Sequence, residues 1–312
     1  MRPFARRIVA AALLVAVAVF GVAFGFLFDD RRRQYLRVRS DLDRRRPRPA
    51  PSGDYRLSVV VPAFGEEGRI AESVQRLRSE LEKVDTGGGI EIIVVDDGSA
   101  DDTSARARAA GAEQVLRHDH NRGKGAAVRT GVLAARGRTV AFTDADLAYS
   151  PDQLEGLLDE VETGWDVVAG SRRHTDTTTL VRARRGREIG GRAINLLTRA
   201  VLLGQYRDTQ CGLKAFRSDI GRLIFSHSKV DGFAFDVEVF FLVEQYHLSL
   251  TEVPVRVENS SRSTVRVVRD AALLVRDLFR IRSWAHNGAY DLSPDDGFAP
   301  DDLPKLAETE TA

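Results

Sequence analysis

The chain has 312 residues, of which 43% are hydrophobic and 29% are charged, and its formal net charge is +1. These proportions are those of an ordinary globular protein and exclude a disordered or collagen-like chain. The single cysteine, Cys211, excludes an intrachain disulfide and a zinc cluster built on cysteines, and it suits a reducing compartment.

An apolar run lies near the N-terminus, from Ile8 to Phe28. It has roughly 20 uncharged residues, so we predict a transmembrane helix, whereas a cleaved secretory signal has an apolar run of about 7 to 15. More arginines follow this run than precede it, which predicts a single-pass protein of the cell membrane with its globular domain in the cytoplasm. Residues 1–7 would then lie on the far side, and residues 29–54 would form a basic, proline-rich linker. The linker arginines either face solvent or contact anionic lipid headgroups.

Residues 55–290 are predicted to form one α/β domain, for which the roughly 240 residues between the two ends suffice. Short β-branched runs alternate with helical patterns, which indicates a mostly parallel sheet flanked by helices. The predicted strands are Leu57–Val61, Ile90–Val95, Gln114–Leu116, Thr139–Phe142 and Asp166–Val168. The predicted helices are Ile70–Val84, Asp102–Ala110 and Lys124–Ala135. Residues 291–312 are predicted to be an acidic, disordered tail.

Polar residues follow the first two strands, at the edge of the sheet where proteins of this architecture bind ligands. The first strand leads into Pro62-Ala63-Phe64-Gly65-Glu66, and the second ends in Asp96-Asp97-Gly98-Ser99. A carboxylate placed there can accept hydrogen bonds from a base N–H or from ribose hydroxyls, so we predict that Asp97 binds a ligand. Asp101 or Asp102 is predicted to cap the following helix.

A glycine-rich segment, Asn121-Arg122-Gly123-Lys124-Gly125, stands at the predicted start of a helix. Its glycines expose backbone N–H groups and Lys124 adds a positive charge, so that it resembles a phosphate-binding loop in outline. The spacing of a Walker loop is absent, and no G-x-G-x-x-G follows the first strand. Both absences argue against a P-loop or dinucleotide-binding enzyme.

Asp144-Ala145-Asp146 follows the apolar strand that ends at Phe142. Two carboxylates separated by one residue can bind one hard cation such as Mg²⁺ or Mn²⁺, with phosphate oxygens as further ligands. Alternatively, the pair caps a helix before Pro151. The six histidines show no i, i+4 pairing and are predicted to be structural or surface residues.

Four segments, taken in order, resemble the motifs of family-two glycosyltransferases with a GT-A fold. They are Val-Val-Pro, Val-Asp-Asp-Gly-Ser-x-Asp-Asp-Thr, Asn-x-Gly-Lys-Gly and Asp-Ala-Asp. The resemblance spans roughly residues 55–284 and implies a Rossmann-like, mostly parallel sheet flanked by helices. The segments Arg207–Lys214 and Phe233–Glu238 are similar to the dolichyl-phosphate (polyprenyl-phosphate) β-glucosyltransferase branch. That branch also has one N-terminal membrane helix.

The resemblance implies a nucleotide-sugar site formed by residues from the ends of several strands. The residues implied to bind the nucleotide sugar are Pro62, Glu66, Asp97, Lys124, Asp144 and Ala145. Asp144 and Asp146 would bind Mg²⁺ or Mn²⁺, which neutralises charge on the departing diphosphate. This arrangement requires Asp97, Asp144 and Asp146 to converge.

The acceptor side is implied by residues further along the chain. Arg172 and Arg207 would bind the phosphate of a lipid acceptor, because a guanidinium matches phosphate with two hydrogen bonds. The residues implied to be catalytic are Asp146, Asp236 and Arg207. Asp236 and Glu238 would line the donor sugar or orient the acceptor, or else they are acids that favour a helix N-terminus.

The reaction implied is inverting transfer of glucose from UDP-glucose to a polyprenyl phosphate at the cytoplasmic membrane face. A lipid phosphate is already an anion, so the enzyme mainly aligns the reactants and stabilises charge. A sugar hydroxyl as acceptor would instead need a base such as Asp236.

Three alternatives remain beside this reaction. One is mannose transfer from GDP-mannose, although polyprenyl-phosphate mannosyltransferases have a glutamine where this chain has Ala148. The second is a family-two transferase with a non-lipid acceptor, and the third is a nucleotide-binding module without catalysis. We expect no nucleic-acid partner.

Two basic amphipathic segments, Arg182–Leu203 and Val265–Trp284, could guide a lipid acceptor to the site. Such segments either lie in a membrane interface or pack one face on the core and keep a solvated rim.

Overall fold

The computed structural model describes residues 48–83, 87–172, 206, 208–258 and 267–293, with the backbone alone for 267–272. The predicted transmembrane helix, most of the linker, Arg207, the segment Arg182–Leu203 and most of the acidic tail lie outside the described residues. The domain bounds predicted from the sequence therefore stay predictions.

The predicted localisation, a single-pass protein of the cell membrane with a cytoplasmic catalytic domain, is corrected by the structure. Among the described residues, no helix combines the length and the apolar character needed to cross a bilayer. The longest of them, Val267–His286, has 20 residues, but arginine and aspartate recur along it. The apolar run from Ile8 to Phe28 is not among the residues described.

Seven strands and seven helices make up the described part of the chain. The strands are β1 (Tyr55–Ala63), β2 (Ile90–Asp96), β3 (Gln114–Arg117), β4 (Gly137–Phe142), β5 (Val167–Ser171), β6 (Lys214–Arg217) and β7 (Leu250–Pro254). The helices are α1 (Ile70–Leu81), α2 (Thr103–Ala109), α3 (Lys124–Ala134), α4 (Gln153–Glu162), α5 (Ser218–His227), α6 (Phe235–Gln245) and α7 (Val267–His286). The five predicted strands and three predicted helices are confirmed, with ends that differ by at most three residues.

All seven strands belong to one sheet in the order β3-β2-β1-β4-β6-β5-β7. The neighbours among β3, β2, β1 and β4 pair in parallel, as do β5 and β7. Strand β6 runs antiparallel to both β4 and β5. The mostly parallel sheet is therefore confirmed, and the carboxyl ends of β1, β2 and β4 meet at one edge.

The sheet is covered on both faces, as expected for strands that are predominantly apolar. Successive side chains of a strand point to opposite faces, and β1 illustrates this. Val60 is buried with residues of α3, α5 and α6, whereas Val59 and Val61 are buried with residues of α1 and α4.

Helix α7 packs one of its faces on the core. Leu274, Leu278 and Ile281 are buried there, while Leu273 and Phe279 are exposed. The core-facing alternative is thus confirmed for the described part of the segment Val265–Trp284.

Gly131 sets how closely α3 approaches the sheet. A Cβ atom at this position would lie 2.3 Å from Cγ1 of Val60 and 3.0 Å from Cγ2 of Val95. We expect Gly131→Ala to lower the free energy of unfolding by about 1–3 kcal/mol, because the added methyl overpacks the interface. Urea denaturation measures this change.

Gly156→Ala is the matched control, because Gly156 also lies within a helix but a Cβ atom added there would meet no other atom within 4 Å. It should raise the free energy of unfolding by about 0.5–1 kcal/mol. Equal effects of the two substitutions would contradict the close packing of α3 on β1 and β2.

Candidate active site

The acid pair Asp144 and Asp146 lies in a tight turn directly after β4. Leu147 has a φ of +45°, and its N–H donates to the carbonyl oxygen of Asp144 at 3.0 Å. A bulky residue with positive φ is an outlier that the surrounding structure must hold in place, and Leu147 is buried. The turn brings both carboxylates to the same edge of the sheet, and it is not the helix cap that the alternative would require.

A third carboxylate, that of Glu66 after β1, faces this pair. Burial raises the pKa of Asp146, and the neighbouring Asp144 carboxylate raises it further. Burial also raises the pKa of Glu66, against the attraction of Arg69, and Asp146 and Asp144 add to the increase. The Glu66 carboxylate lies 2.7 Å from Nε of Arg69. Neighbouring carboxylates that raise the pKa of Asp146 and of Glu66 in this way favour a cation at the site.

Lys124, the first residue of α3, pairs directly with one of these acids. Its Nζ lies 2.5 Å from Oδ1 of Asp144 and 6.0 Å from the ring centre of Phe235. Burial lowers the pKa of Lys124, but Asp144 and then Asp236 outweigh it, so the net effect raises this pKa. Lys124 is therefore a cation held between acids from two parts of the chain.

Asp97 contacts the glycine-rich loop and does not contact the acid pair. Its buried carboxylate lies 2.7 Å from Nδ1 of His118 and accepts the N–H groups of Arg122 at 2.9 Å and Gly123 at 2.7 Å. Of the three aspartates that the sequence predicts to converge, the carboxylates of Asp144 and Asp146 do so, together with that of Glu66. Asp97 is connected to Asp144 through the loop that ends at Lys124.

The loops after β1 and β2 are joined by hydrogen bonds. The N–H of Gly65 donates to Oγ of Ser99 at 2.9 Å, and the N–H of Glu66 donates to Oγ1 of Thr103 at 2.9 Å. Oδ1 of Asp101 accepts the N–H of Thr103 at 3.1 Å in the turn before α2, whereas Asp102, the residue at the N-cap, makes no side-chain cap hydrogen bond. These bonds fix the strand ends where Pro62 and Glu66 were predicted to hold a nucleoside.

Ala145 is buried, and its carbonyl oxygen accepts a hydrogen bond from Oγ of Ser73 at 2.6 Å. This bond ties the turn between the two aspartates to α1.

Asp236 lies in the first turn of α6 and forms a buried ion pair with Lys214. Nζ of Lys214 donates to Oδ1 of Asp236 at 2.6 Å and to the carbonyl oxygen of Cys211 at 2.7 Å. Burial raises the pKa of Asp236, and Lys214 and then Lys124 oppose this increase. No role was predicted for Lys214, although a lysine flanked by Leu213 and Ala215 in an apolar segment is a signal of a buried charge that needs a partner.

The same segment presses against the acid pair. A Cβ atom at Gly212 would lie 2.3 Å from Oδ2 of Asp144, so the Asp144 carboxylate lies directly against the backbone of Gly212. Lys214 therefore binds two parts of the site. One is the segment that contacts Asp144, and the other is the first turn of α6, which carries Asp236.

Arg172, predicted to bind an acceptor phosphate, pairs with an acid of its own chain. Nε and Nη2 of Arg172 donate to the two carboxylate oxygens of Asp208 at 2.6 Å and 2.8 Å. The Arg172 side chain is nevertheless 43% exposed. Arg207 lies outside the described residues, so its predicted role stays a prediction.

Glu238 does not share the surroundings of Asp236. Its carboxylate is buried and accepts the N–H groups of Lys229 at 2.8 Å and Val230 at 2.9 Å, and the hydroxyl of Tyr290 at 2.6 Å. Glu238 thus supports the segment before α6, and the idea that it lines the site together with Asp236 is wrong.

Among the described residues, no group of three or more His, Cys, Asp and Glu side chains has an arrangement that could hold a metal ion. Asp144 and Asp146 still fit a cation that retains water or takes ligand oxygens, because their carboxylates lie together beside Glu66.

The chain is similar to known glycosyltransferases over most of its length. The model of glycosyl transferase family 2 matches residues 58–223. The dolichyl-phosphate beta-glucosyltransferase of Drosophila melanogaster is 36% identical over 240 residues, which cover 72% of this chain and 74% of the relative. The Homo sapiens protein of the same name is 32% identical over 252 residues, which cover 76% of this chain and 78% of the relative.

A solved structure has a similar fold. It is glucosyl-3-phosphoglycerate synthase from Mycobacterium tuberculosis in complex with Mn²⁺, uridine diphosphate and glucosyl-3-phosphoglycerate. The TM-score is 0.54 at 25% identity, and the match covers 79% of this chain and 88% of that one. The GT-A-like fold predicted from the motifs is confirmed by this likeness.

The buried ion pair makes a testable contribution to stability. Lys214→Met leaves the carboxylate of Asp236 and the carbonyl of Cys211 without their shared donor, and we expect it to lower the free energy of unfolding by about 3–5 kcal/mol. The double variant Lys214→Met/Asp236→Leu should recover much of that loss, because no unpaired charge remains buried. Chemical denaturation of wild type, both single variants and the double variant gives the coupling energy, and strictly additive effects would contradict the pairing.

Proposed function

This chain belongs to glycosyl transferase family 2, and we propose that it transfers glucose from UDP-glucose to a dolichyl-type polyprenyl phosphate with inversion at the anomeric carbon. The chain is a glycosyltransferase by family. The choice of glucose and of a polyprenyl phosphate is supported by the names of relatives at 30–36% identity. The choice of a uridine nucleotide is supported by the ligand of the structural neighbour from Mycobacterium tuberculosis.

One observation supports this function best, namely the pairing of Lys124 with Asp144 beside Asp146 at the carboxyl edge of the sheet. A nucleotide sugar presents a diphosphate, whose charge must be balanced when the glycosidic bond to it breaks. Lys124 supplies a fixed positive charge at a helix N-terminus, where backbone N–H groups also favour anions. Binding, rather than acid–base chemistry, is the task that this part of the site can perform.

Asp144 and Asp146 are the residues that would hold Mg²⁺ or Mn²⁺. When bound, such an ion neutralises developing charge on the departing diphosphate. Asp144 would then contact both the ion and Lys124, so the position of its carboxylate matters most. Lys124, the loop before it and Gly212 fix that position from two sides.

Asp236 would orient the donor sugar or the acceptor. An acceptor phosphate is already ionised, so a general base is not needed for its attack. Lys214 holds the Asp236 carboxylate at 2.6 Å, which suits an orienting group whose geometry must not vary. Arg172 would share its guanidinium between Asp208 and an acceptor phosphate.

A non-lipid acceptor is the second candidate within the same class. The complex from Mycobacterium tuberculosis contains glucosyl-3-phosphoglycerate, in which the glucosyl group is carried by a phosphoglycerate. A hydroxyl acceptor would require a base, and the raised pKa of Asp236 suits that role.

A screen of donors against acceptors separates these reactions. We expect turnover of UDP-glucose with a polyprenyl phosphate, little turnover of GDP-mannose, and loss of activity on addition of a chelator. Turnover of UDP-glucose only with hydroxyl acceptors would favour the second candidate. The absence of turnover of UDP-glucose with every acceptor would remove the proposal.

Asp146→Asn tests the role of the acid pair in transfer. We expect kcat/KM to fall by roughly 100-fold or more, because the amide removes the charge that would hold a divalent ion. Thermal unfolding should change little, since the substitution relieves repulsion with Asp144 and Glu66.

Asp152→Asn provides the control for charge alone, because Asp152 is a surface acid that pairs with Arg256. It should leave the initial rate with UDP-glucose unchanged. Equal activity of Asp146→Asn and wild type would contradict a role of Asp146 in transfer.

A further inference from the structure

His118 connects the end of β2 to the helix that begins with Lys124. It follows β3 directly, it is buried, and its N–H donates to the carbonyl oxygen of Asp96 at 2.9 Å. Its ring lies 2.7 Å from Oδ1 of Asp97 through Nδ1 and 2.9 Å from Oγ1 of Thr130 through Nε2. Thr130 belongs to α3. The ring therefore spans from a strand end to the helix.

The hydrogen-bonding partners assign the role of one ring nitrogen, Nδ1. The carboxylate of Asp97 already accepts two backbone N–H groups, so Nδ1 must donate to it. Nε2 faces the hydroxyl of Thr130, which can act as a donor or as an acceptor toward the ring. With Nδ1 protonated, the ring holds the Asp97 carboxylate in one orientation.

That orientation determines where the glycine-rich loop lies. Asp97 accepts from Arg122 and Gly123, the two residues before Lys124. Gly123 has a φ of +113°, and a Cβ there would lie 2.4 Å from the carbonyl oxygen of Asp231, so the loop is confined on its other side as well. A shift of the Asp97 carboxylate would move the start of α3, and Lys124 with it.

We propose that His118 is a positioning residue of the transferase, which sets the place of Lys124 against Asp144 by orienting Asp97. His118 does not touch the acid pair, and it acts through Asp97 and the loop 121–123. Its role in catalysis rests on the proposed function, whereas its hold on the loop can be measured without any substrate. The sequence predicts that the histidines are structural or surface residues. For His118 the proposal adds a specific role, which is to position the loop before Lys124.

Three substitutions separate the two bonds of the ring. In His118→Asn the side-chain amide nitrogen can replace Nδ1 and keep the bond to Asp97. In His118→Gln the amide nitrogen can replace Nε2 and reach Thr130 instead, and His118→Leu keeps neither bond. His120→Gln is the matched control, because His120 is exposed and lies only two residues further along.

Hydrogen exchange of the Arg122 and Gly123 amides in the free protein is the first readout. We expect His118→Gln and His118→Leu to lower the protection of these amides by about tenfold or more, since hydrogen bonds to a carboxylate are lost or weakened. His118→Asn should retain most of the protection. Similar protection in the Asn and Gln variants, or unchanged protection in all of them, would overturn the proposal.

Steady-state kinetics is the second readout. A displaced Lys124 should raise the KM for the nucleotide-sugar donor by about tenfold in the Gln and Leu variants, with the KM for the acceptor unchanged and partial rescue in His118→Asn. A merely structural role would lower the fraction of folded enzyme and hence kcat alone, which would also overturn the proposal. If wild type does not use UDP-glucose, the proposed function fails, while the exchange result still decides whether His118 holds the loop.

Discussion

Three carboxylates, those of Glu66, Asp144 and Asp146, lie at the carboxyl ends of β1 and β4, where burial and the neighbouring acids raise the pKa of Glu66 and of Asp146. Among the described residues, Lys124 and Arg69 form ion pairs with them. The two cationic side chains do not balance the charge of three carboxylates, so the site attracts a further positive charge. That electrostatic constraint explains why a divalent ion and an anionic diphosphate would bind there together, since each offsets the charge of the other.

The rest of the site serves to hold this cluster of charges. Asp97 and His118 position the loop before Lys124 from one side. From the other side, Lys214 fixes the segment whose Gly212 touches Asp144, and the same ammonium group orients Asp236. Each support contains a buried carboxylate, so each is sensitive to loss of the partner of that carboxylate. Under the proposed function, His118 and Lys214 would act on the reaction through the residues that they position.

The first half of the fold follows from the sequence because its physical signals are local. Strands β1, β2 and β4 are predominantly apolar, and the helices between them keep a helical period, so the alternation of strands and helices predicts a parallel sheet. Strand β6 was not predicted, since it has only four residues and two of them, Lys214 and Arg217, are charged. Its antiparallel pairing with β4 and β5 joins distant parts of the chain, which no local pattern reports.

The candidate site likewise contains residues that local sequence signals predict and residues whose roles depend on distant contacts. Asp144, Asp146 and Lys124 could be predicted because their motifs stand at strand or helix ends, where backbone geometry places them. The roles of Asp97, Glu238 and His118 depend on which neighbour each side chain meets across the fold. The predicted binding of a ligand by Asp97 stays a prediction, and the sequence does not report that this carboxylate accepts N–H groups of the loop before Lys124.

The central claim is that Asp144 and Asp146 form one cation site that faces a nucleotide diphosphate beside Lys124. Anomalous diffraction from crystals grown with Mn²⁺ and UDP tests it most directly. We predict a manganese peak at about 2.0–2.6 Å from a carboxylate oxygen of Asp144 or Asp146, with the diphosphate between that ion and the start of α3. Manganese at any other position, or a diphosphate bound away from both acids, would contradict it.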